Sequence, residues 1–400
     1  MRTPTGAPWV PGFLAGGTAS GIKKSGARDM ALIFCPHGAT AAGVFTTNQV
    51  RSPAVVLSRE RLSRGRAHAI LANSGCANTY TGEAGARDAR EIARKAAAAL
   101  GVREGGILTS STGVIGSRLP LTKMSRAIPG LVARLSATGW QDAADAIRTT
   151  DTRSKLAFRR ARLAEGDVRV LGIAKGAGMI EPHMATLLVF LATNAAVQAP
   201  FLRRVLREAC EGSFNRVTID GCMSTSDTAV ILASGTQCRD GFAPASASGK
   251  RFARMVAEVC RELADAIVSD GEGVTKRVAV RVRGARTDRE ARVAAYAVAN
   301  SLLVKTALRG EDPNWGRIVQ ALGASAARIR PDRIGIRFGK VTLLGRGRWL
   351  GVAAEAAARR VMRGDAWEMT IDLGAGRGTW EVLTGDLTED YIRINADYRS

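Results

Sequence analysis

The sequence predicts an α/β protein in which helices pack on mixed β-sheets and the chain forms two subdomains. Short apolar segments rich in branched residues alternate with longer segments whose apolar residues recur at helical spacing. The length of 400 residues exceeds one ordinary core. Glycine is abundant, at 44 residues, which is typical of a fold with many tight turns. These observations together favour helices covering sheets.

Seven segments are predicted to be strands because each is short, apolar and rich in branched residues. They are MALIF (30–34), AVVL (54–57), HAILAN (68–73), VRVLGIA (168–174), TLLVFLA (186–192), TAVILAS (228–234) and RVAVRVR (277–283). The clearest predicted helix spans residues 84–100, and Gly101 is placed to end it. Further helices are predicted over 200–211, 252–268 and 353–362.

The strong positive charge is the main compositional signal. Lysine and arginine number 58 against 36 acidic residues, which gives a net charge of +22. Two basic stretches, 59–68 and 158–163, would suit a nucleic-acid surface. However, no aromatic residues are interleaved with them for base stacking, and the excess arginine is spread along the chain. We therefore expect no nucleic-acid partner. The positive charge is more simply interpreted as attracting small anionic or amino-acid substrates.

Membrane spans and metal sites are not predicted. The longest apolar run, residues 184–197, is shorter than the roughly 18 residues of a spanning helix. The N-terminal stretch MRTPTGAPWVPGF has no apolar signal core, so we expect a cytoplasmic protein without a membrane partner. The six cysteines show no CxxC spacing and only three histidines are present, so we expect no zinc. Cys76 lies in a loop context, where a packed side chain is favoured over a reactive one.

Familiar catalytic motifs do not account for the sequence. GGTASGIKK (16–24) lacks the end of a phosphate-binding loop, GAGRG (374–378) does not complete a dinucleotide fingerprint, and neither HExxH nor GxSxG occurs. What remains is a set of small-residue loops with Thr, Asn, Lys and acidic residues, each of which alone is more often a turn than a site. They are NSGCANTYTG (73–82), TSSTGVIG (109–116), TTDT (149–152), KGAGMIEPHMAT (175–186), DGCMSTSDT (220–228), DGEGVTK (270–276), EDPNWGR (311–317) and NADYRS (395–400).

Thr186 stands at the junction between a Gly-rich loop and an apolar run, in KGAGMIEPHMATLLVFLATNA (175–195). One interpretation is a threonine that simply begins a core strand, where its branched Cβ fits well. The other is that Thr186 becomes a new N-terminus whose α-amine acts as the catalytic base. The stretch alone leaves both interpretations open.

Taken together, in this order and spacing, these loops resemble the ornithine acetyltransferase family of arginine biosynthesis, also called glutamate N-acetyltransferases. The resemblance begins near GFLAGGTASGIK (12–23) and runs to the last residue. KGAGMIEPHMAT and GEDPNWGR (310–317) are its most specific motifs.

The resemblance implies that the precursor cuts itself between Ala185 and Thr186. The pieces would be an alpha chain, 1–185, and a beta chain, 186–400, each of ordinary domain size. Thr186 would then carry both a hydroxyl and a free amine, so the amine could accept the hydroxyl proton without a histidine. The resemblance further implies a heterotetramer of two alpha and two beta chains.

The resemblance also assigns the remaining site residues. Acetyl-Thr186 would pass the acetyl group from N-acetylornithine to glutamate, while the Thr112 hydroxyl and the Gly113 N–H would form the oxyanion hole. The positions that match the family's substrate-binding residues are Thr149, Lys175, Thr186, Glu272, Asn395 and Ser400. Without the resemblance, Thr112 and Gly113 read as a turn, Lys175 as an exposed loop lysine and Glu272 as a helix-end carboxylate.

Several residues near these motifs depart from the family's usual pattern and put the substrate preference in question. They are His183, Cys76, Cys222, Met223, Ser226 and Ser400. The resemblance implies no metal, nucleotide or organic cofactor, although acetyl-CoA could serve as a second acetyl donor. Three alternatives stay open: an amidase or aminopeptidase that uses water as acceptor, a basic nucleic-acid-binding protein, and a diverged uncleaved paralogue.

Overall fold

A computed structural model describes residues 7–181, 187–237 and 241–397. The strands are β1 (Leu14–Thr18), β2 (Met30–Phe45), β3 (Arg66–Asn73), β4 (Ile107–Ser111), β5 (Lys155–Leu163), β6 (Gly166–Lys175), β7 (Leu188–Ala195), β8 (Val217–Thr218), β9 (Thr228–Gln237), β10 (Arg277–Ala285), β11 (Gly335–Phe338), β12 (Val341–Gly345), β13 (Arg348–Trp349), β14 (Ala366–Asp372) and β15 (Gly378–Gly385). The helices are α1 (Pro53–Arg61), α2 (Gly82–Leu100), α3 (Leu121–Ala133), α4 (Trp140–Ile147), α5 (Ala199–Glu211), α6 (Ala247–Ser269), α7 (Asp288–Ala299), α8 (Leu302–Arg309), α9 (Trp315–Gly323), α10 (Val352–Met362) and α11 (Glu389–Ala396). Among the helices in these ranges, none is long and apolar enough to cross a membrane.

The chain divides into two compact units, in agreement with the predicted two subdomains. The first unit comprises Met1–Asn215 and Cys222–Ile267, and the second comprises Arg216–Gly221 and Val268–Ser400. The predicted cleavage between Ala185 and Thr186 lies outside the described residues. Its position in the sequence falls within the first unit, so the predicted chains 1–185 and 186–400 do not correspond to the two folded units.

The first unit is built on a mixed sheet, as the sequence predicted. Its described strands follow the order β4-β3-β2-β9-β7-β6-β5, and β1 pairs with β2. The β3–β4 and β7–β9 pairs are parallel and the other pairs are antiparallel. Strand β7, which directly follows the 175–186 motif, therefore lies inside the sheet between β9 and β6.

Both faces of this sheet are covered, and β2 shows how. Its alternating side chains point to opposite faces, as the strand geometry requires. Met30 and Leu32 pack in a cluster with residues of α2 and α3. Ala31 and Ile33 pack in a second cluster with residues of α4, including Trp140. The sheet is thus buried on both sides, which explains why its strands read as nearly continuous apolar runs.

The second unit holds a second mixed sheet, with the order β13-β12-β11-β14-β10-β15-β8 in its described part. The β10–β14 and β15–β8 pairs are parallel. Helix α7 packs on β10 and β15 through alanine and valine side chains, and these belong to a single apolar cluster. A separate core of this size supports the second unit as a folding unit of its own.

Most predicted elements are confirmed, and one is wrong. The predicted helix over 84–100 is α2, and Gly101 ends it in the left-handed conformation at φ 67°. The segment AVVL (54–57), predicted to be a strand, lies in helix α1. Ser52 caps α1 by accepting the Ala54 N–H, and Pro53 occupies the first turn. These start signals outweigh the strand preference of two branched residues.

Candidate functional site

The Thr112–Gly113 segment is held by backbone contacts with the loop that follows β3. Because β3 and β4 run parallel, the chain leaves both strands at neighbouring positions. The Thr112 N–H donates to the Asn73 carbonyl at 3.0 Å, and the Val114 N–H donates to the Gly75 carbonyl at 3.4 Å. Gly113 has φ +125°, and a Cβ there would lie 2.3 Å from the Gly75 carbonyl carbon. Only glycine fits this position, so the segment has one defined conformation.

Two hydrogen-bond donors of this segment have no acceptor within the described ranges. They are the Thr112 hydroxyl and the Gly113 N–H, since every bond assigned to the segment uses other groups. Thr112 is only 4% exposed. Fixed donors that the protein itself leaves unused can bind an oxygen that becomes negative during a reaction. The role of Thr112 and Gly113 as an oxyanion pair stays a prediction.

Lys175 lies in a buried charged cluster, so the alternative of an exposed loop lysine is wrong. It is 3% exposed and ends β6. The cluster is organised by Asp151, which is 4% exposed. Asp151 Oδ1 accepts hydrogen bonds from Lys155 Nζ at 2.6 Å and from the Gly176 N–H at 2.8 Å. Its other oxygen, Oδ2, accepts the Thr149 N–H at 3.0 Å. Asp151 therefore fixes both Thr149 and the backbone that follows Lys175.

The charges around Asp151 control its protonation. Burial alone would raise its pKa, but the positive charges of Lys175 and Lys155 and the hydrogen bonds from Lys155 and Gly176 lower the pKa from 3.8 to about 2. The carboxylate is therefore ionised at neutral pH and balances buried lysine charge.

The loop before β9 contacts both the loop that packs on Gly113 and the start of β7. Thr225 contacts Thr79 through their hydroxyl oxygens at 3.0 Å, and Thr79 lies in the loop that packs on Gly113. Two residues further on, Asp227 Oδ1 accepts the Leu187 N–H at 3.0 Å. Leu187 is the first described residue after Thr186. The predicted nucleophile Thr186 and the predicted cleavage residue Ala185 lie outside the described residues.

In the second unit, Glu272 and Asn395 contact each other. Asn395 Nδ2 donates to Glu272 Oε2 at 2.7 Å, and Glu272 is 7% exposed. Helix α6 ends at Ser269, three residues before Glu272. Thr388 fixes the intervening turn by donating to the Gly273 carbonyl at 2.7 Å. The structure thus brings two predicted substrate residues together, whereas Ser400 lies outside the described residues.

The motif GEDPNWGR lies in the same unit, where it caps a helix and contacts a neighbouring loop. Asn314 caps α9 by accepting the Arg317 N–H at 3.1 Å. Glu311 accepts Lys276 Nζ at 2.9 Å, and Lys276 ends the loop that contains Glu272. The motif therefore supports the neighbouring loop that contains Glu272.

The residues that depart from the family pattern occupy different environments. Cys76 is 5% exposed and its thiol donates to the Ser117 carbonyl at 3.2 Å, which confirms the packed interpretation. Burial raises the pKa of this thiol. Ser226 is buried and Cys222 is exposed, while the carbonyl of Met223 accepts Asn48 Nδ2 at 3.1 Å. His183 lies outside the described residues.

Asp151 and Asp227 were missed by the sequence analysis. Each lies within a motif that was singled out, TTDT and DGCMSTSDT, but neither was given a role. The signal available was a single acidic residue among small hydroxyl residues, which is also a common turn pattern. Across residues 7–181, 187–237 and 241–397, no group of three or more His, Cys, Asp or Glu side chains could hold a metal ion.

Comparisons with known proteins extend over almost the whole chain. A profile of the ArgJ family matches residues 14–400. The arginine biosynthesis bifunctional protein ArgJ of Syntrophotalea carbinolica is 46% identical over 394 residues, covering 98% of this chain and 99% of the relative. The protein of the same name from Geobacter sulfurreducens is 46% identical over 391 residues, covering 98% and 100%. A crystal structure of an ArgJ from Bacillus halodurans is 36% identical, covers 51% of this chain and 95% of that chain, and has a TM-score of 0.48.

Proposed function

The chain belongs to the ArgJ family of arginine-biosynthesis acetyltransferases, and from this premise we propose that it transfers an acetyl group from N2-acetyl-L-ornithine to L-glutamate. The intermediate is acetyl-Thr186, and the products are L-ornithine and N-acetyl-L-glutamate. The observation that carries the proposal is the pair of donors at Thr112 and Gly113, for which the described part of the chain offers no acceptor. Acyl transfer passes through a tetrahedral intermediate with a negative oxygen, and this oxygen is what such donors stabilise.

Self-cleavage prepares the nucleophile in this proposal. The Thr186 hydroxyl oxygen attacks the Ala185 carbonyl carbon, the bond between that carbon and the Thr186 nitrogen breaks, and the nitrogen takes up a proton. Water then hydrolyses the resulting ester. The products are the chain 1–185, with a new carboxylate, and the chain 186–400, with a free amine at Thr186.

Acetyl transfer uses the same two groups of Thr186. The amine accepts the hydroxyl proton while the oxygen attacks the acetyl carbonyl of N-acetylornithine. Collapse of the tetrahedral intermediate returns the proton to the leaving nitrogen and releases ornithine. The amine of glutamate then attacks the acetyl ester, and Thr186 recovers its proton as N-acetylglutamate leaves.

Substrate binding is assigned to Thr149, Lys175, Glu272, Asn395 and Ser400, together with Thr186. A lysine ammonium suits a substrate carboxylate, and a glutamate carboxylate suits a substrate amine, because hydrogen bonds between charged groups are the stronger ones. The buried setting of Lys175 and the contact between Glu272 and Asn395 support these roles.

The remaining properties follow from the family membership. The curated relatives are named bifunctional proteins. This supports a second activity, the acetylation of glutamate with acetyl-CoA as donor. We infer that the enzyme has no resident cofactor, because the Thr186 amine supplies the base. We also infer that it assembles as a heterotetramer of two alpha and two beta chains. A cytoplasmic location stays a prediction from the sequence.

Intact mass and product analysis test the proposed function. The purified wild-type protein is expected to give two species, corresponding to residues 1–185 and 186–400. With N-acetylornithine, release of ornithine beyond one equivalent per active site should require glutamate and yield an equal amount of N-acetylglutamate. Release of acetate without glutamate would instead identify an amidase that uses water, and a single uncut chain would identify a diverged paralogue.

The substitution Thr112→Val is expected to lower kcat by about a hundredfold or more, because it removes one oxyanion donor while keeping the side-chain shape. The KM for glutamate should change little. The matched control is Thr109→Val in β4, the strand that ends just before Thr112, since the Thr109 hydroxyl faces the Ala54 carbonyl of α1. Equal rates for Thr112→Val and the wild type would rule out Thr112 as an oxyanion donor.

The substitution Glu272→Gln is expected to raise the KM for N-acetylornithine by about tenfold to a hundredfold, with a smaller change in kcat. Glutamine can still accept from Asn395, but it loses the charge-assisted bond to the substrate amine, which contributes about 1.5–3 kcal/mol. Steady-state kinetics with varied donor measure this effect, and Glu381→Gln, at the ion pair with Arg281 in the same unit, is the control. An unchanged KM would remove Glu272 from the substrate-binding residues.

A further inference from the structure

Asp227 is a fully buried carboxyl at the start of β9, and the reaction described above does not use it. It is 0% exposed. One oxygen, Oδ1, accepts the Leu187 N–H at 3.0 Å. The other, Oδ2, is buried and has no hydrogen-bond partner among residues 7–181, 187–237 and 241–397. A buried carboxyl with one oxygen unpaired is costly, so its presence requires a reason.

The protonation of Asp227 differs from that of Asp151. Burial raises the pKa of Asp227 well above its usual range, and the Leu187 N–H, the positive charge of Lys175 and the Ser224 hydroxyl oppose this only in part. Asp227 is thus biased towards a neutral acid. A neutral asparagine could accept the same N–H in the same position.

The contacts of Leu187 show what Asp227 holds. The Leu187 carbonyl accepts the Thr228 N–H at 3.0 Å, and the ladder between β7 and β9 begins at the next residue, Leu188. The Leu187 N–H has no carbonyl partner there, and the side chain of Asp227 takes that place. The Leu187 carbonyl is therefore bound to Thr228, the first residue of β9, and the Leu187 N–H is bound to the side chain of Asp227, the residue before β9.

This contact matters because of what precedes Leu187 in the sequence. Thr186 lies outside the described residues, but its carbonyl carbon is bonded to the Leu187 nitrogen. If the chain is cut before Thr186, as the proposed function requires, Leu187 becomes the second residue of a new chain. Chain ends fray unless they are tied down, and a small displacement of a nucleophile lowers its rate strongly.

We propose that Asp227 is a positioning residue that anchors the new N-terminus of the beta chain by holding the Thr186–Leu187 peptide through the Leu187 N–H. It acts on the reaction through this peptide and does not itself react. The inference rests on the proposed function, and it adds a residue to which the family resemblance assigned no role.

Three variants test the anchor: Asp227→Ala, Asp227→Asn and the control Asn194→Ala. Asn194 is 0% exposed and lies near the other end of β7, where its side chain accepts the Arg169 N–H at 2.7 Å. Asn194→Ala therefore removes two side-chain hydrogen bonds of the same strand, with Arg169 and Asp167, far along it from Leu187. For each variant, intact mass over time measures self-cleavage, thermal unfolding measures Tm, and kinetics of the cleaved fraction give kcat and KM.

Asp227→Ala is expected to slow self-cleavage and to lower kcat by about tenfold to a hundredfold. The KM for glutamate should stay within about twofold of the wild-type value, because the variant loses positioning of the nucleophile and not substrate binding. Asp227→Asn should restore both rates, because its amide oxygen accepts the same N–H. Asn194→Ala should lower Tm without changing kcat. Wild-type rates in Asp227→Ala, or an equal loss of kcat in Asn194→Ala, would overturn the proposal.

Asp227→Asn decides the matter if Asp227→Ala does not fold. A folded Asp227→Asn variant with rates near those of the wild type supports the anchor, and one with rates far below them overturns it. An uncut wild-type protein would instead overturn the proposed function, so the two failures are distinguishable.

Discussion

Replacing Thr186 with alanine is expected to leave one uncut chain of 400 residues and to abolish acetyl transfer. The substitution removes the hydroxyl that attacks the Ala185 carbonyl, so neither the ester nor the free amine can form. Enzymes that lose their nucleophile retain only background rates, a loss on the order of a millionfold. Because both steps use the same oxygen, cleavage and transfer should be lost together.

Intact mass and an acetyl-transfer assay on the same preparation measure this effect. Thr186→Ser is the matched variant, since serine keeps the hydroxyl and, after cleavage, the amine. It should still be cut and should transfer acetyl groups at a reduced rate. Cleavage of the Thr186→Ala chain at the same bond, or acetyl transfer by the uncut chain, would contradict the proposed nucleophile.

The strands of the first unit were largely predictable because the sheet is covered on both faces. Burial on both sides makes a strand apolar along its whole length, as in TAVILAS, which lies within β9. The segment AVVL is equally apolar but forms part of α1. Here the local start signals of Ser52 and Pro53 decide the structure, and they were not weighed. A short apolar run alone does not distinguish a strand from a buried helical turn.

Strand β4 shows that a segment whose motif predicts a loop can form a buried strand. Its sequence, ILTSS, ends in small hydroxyl residues, and Thr109 to Ser111 were assigned to a loop. These residues are buried in a parallel pairing with β3. The Ser111 hydroxyl, one of the groups that made the segment resemble a loop, donates inside the fold to Asn73 Oδ1 at 2.7 Å.

The site was predictable only where a motif carried it. Thr112, Gly113, Lys175 and Glu272 followed from the family resemblance. The contact by which Asp151 fixes the backbone after Lys175 could not be assigned from the sequence, because Gly176 is 25 residues away from Asp151 along the chain. A contact between distant segments is a property of the folded sheet, and local patterns carry no information about it.

The buried ion pair of Asp151 with Lys155 leads to the largest expected change in stability. Asp151→Asn is expected to destabilise the protein by about 3–5 kcal/mol at pH 7, because it leaves a buried lysine charge without its partner. The side chains of Lys155 and Asp151 are 1% and 0% exposed, so water cannot replace the lost interaction. Urea unfolding measures the effect. Asp142→Asn is the control, since its partner Arg28 is 45% exposed and the pair is worth little.

The pH dependence of this difference identifies its cause. The pKa of Asp151 is lowered from 3.8 to about 2 in the folded protein, so its contribution to stability is fully present above pH 3.8. As the pH falls from about 4 towards about 2, the carboxylate of the wild type takes up a proton and that contribution is lost. The difference in unfolding free energy between the wild type and Asp151→Asn should therefore be constant near neutral pH and shrink in this acidic window. A difference that stays constant down to pH 2 would show that packing, rather than the charge of Asp151, holds the Lys155–Lys175 cluster together.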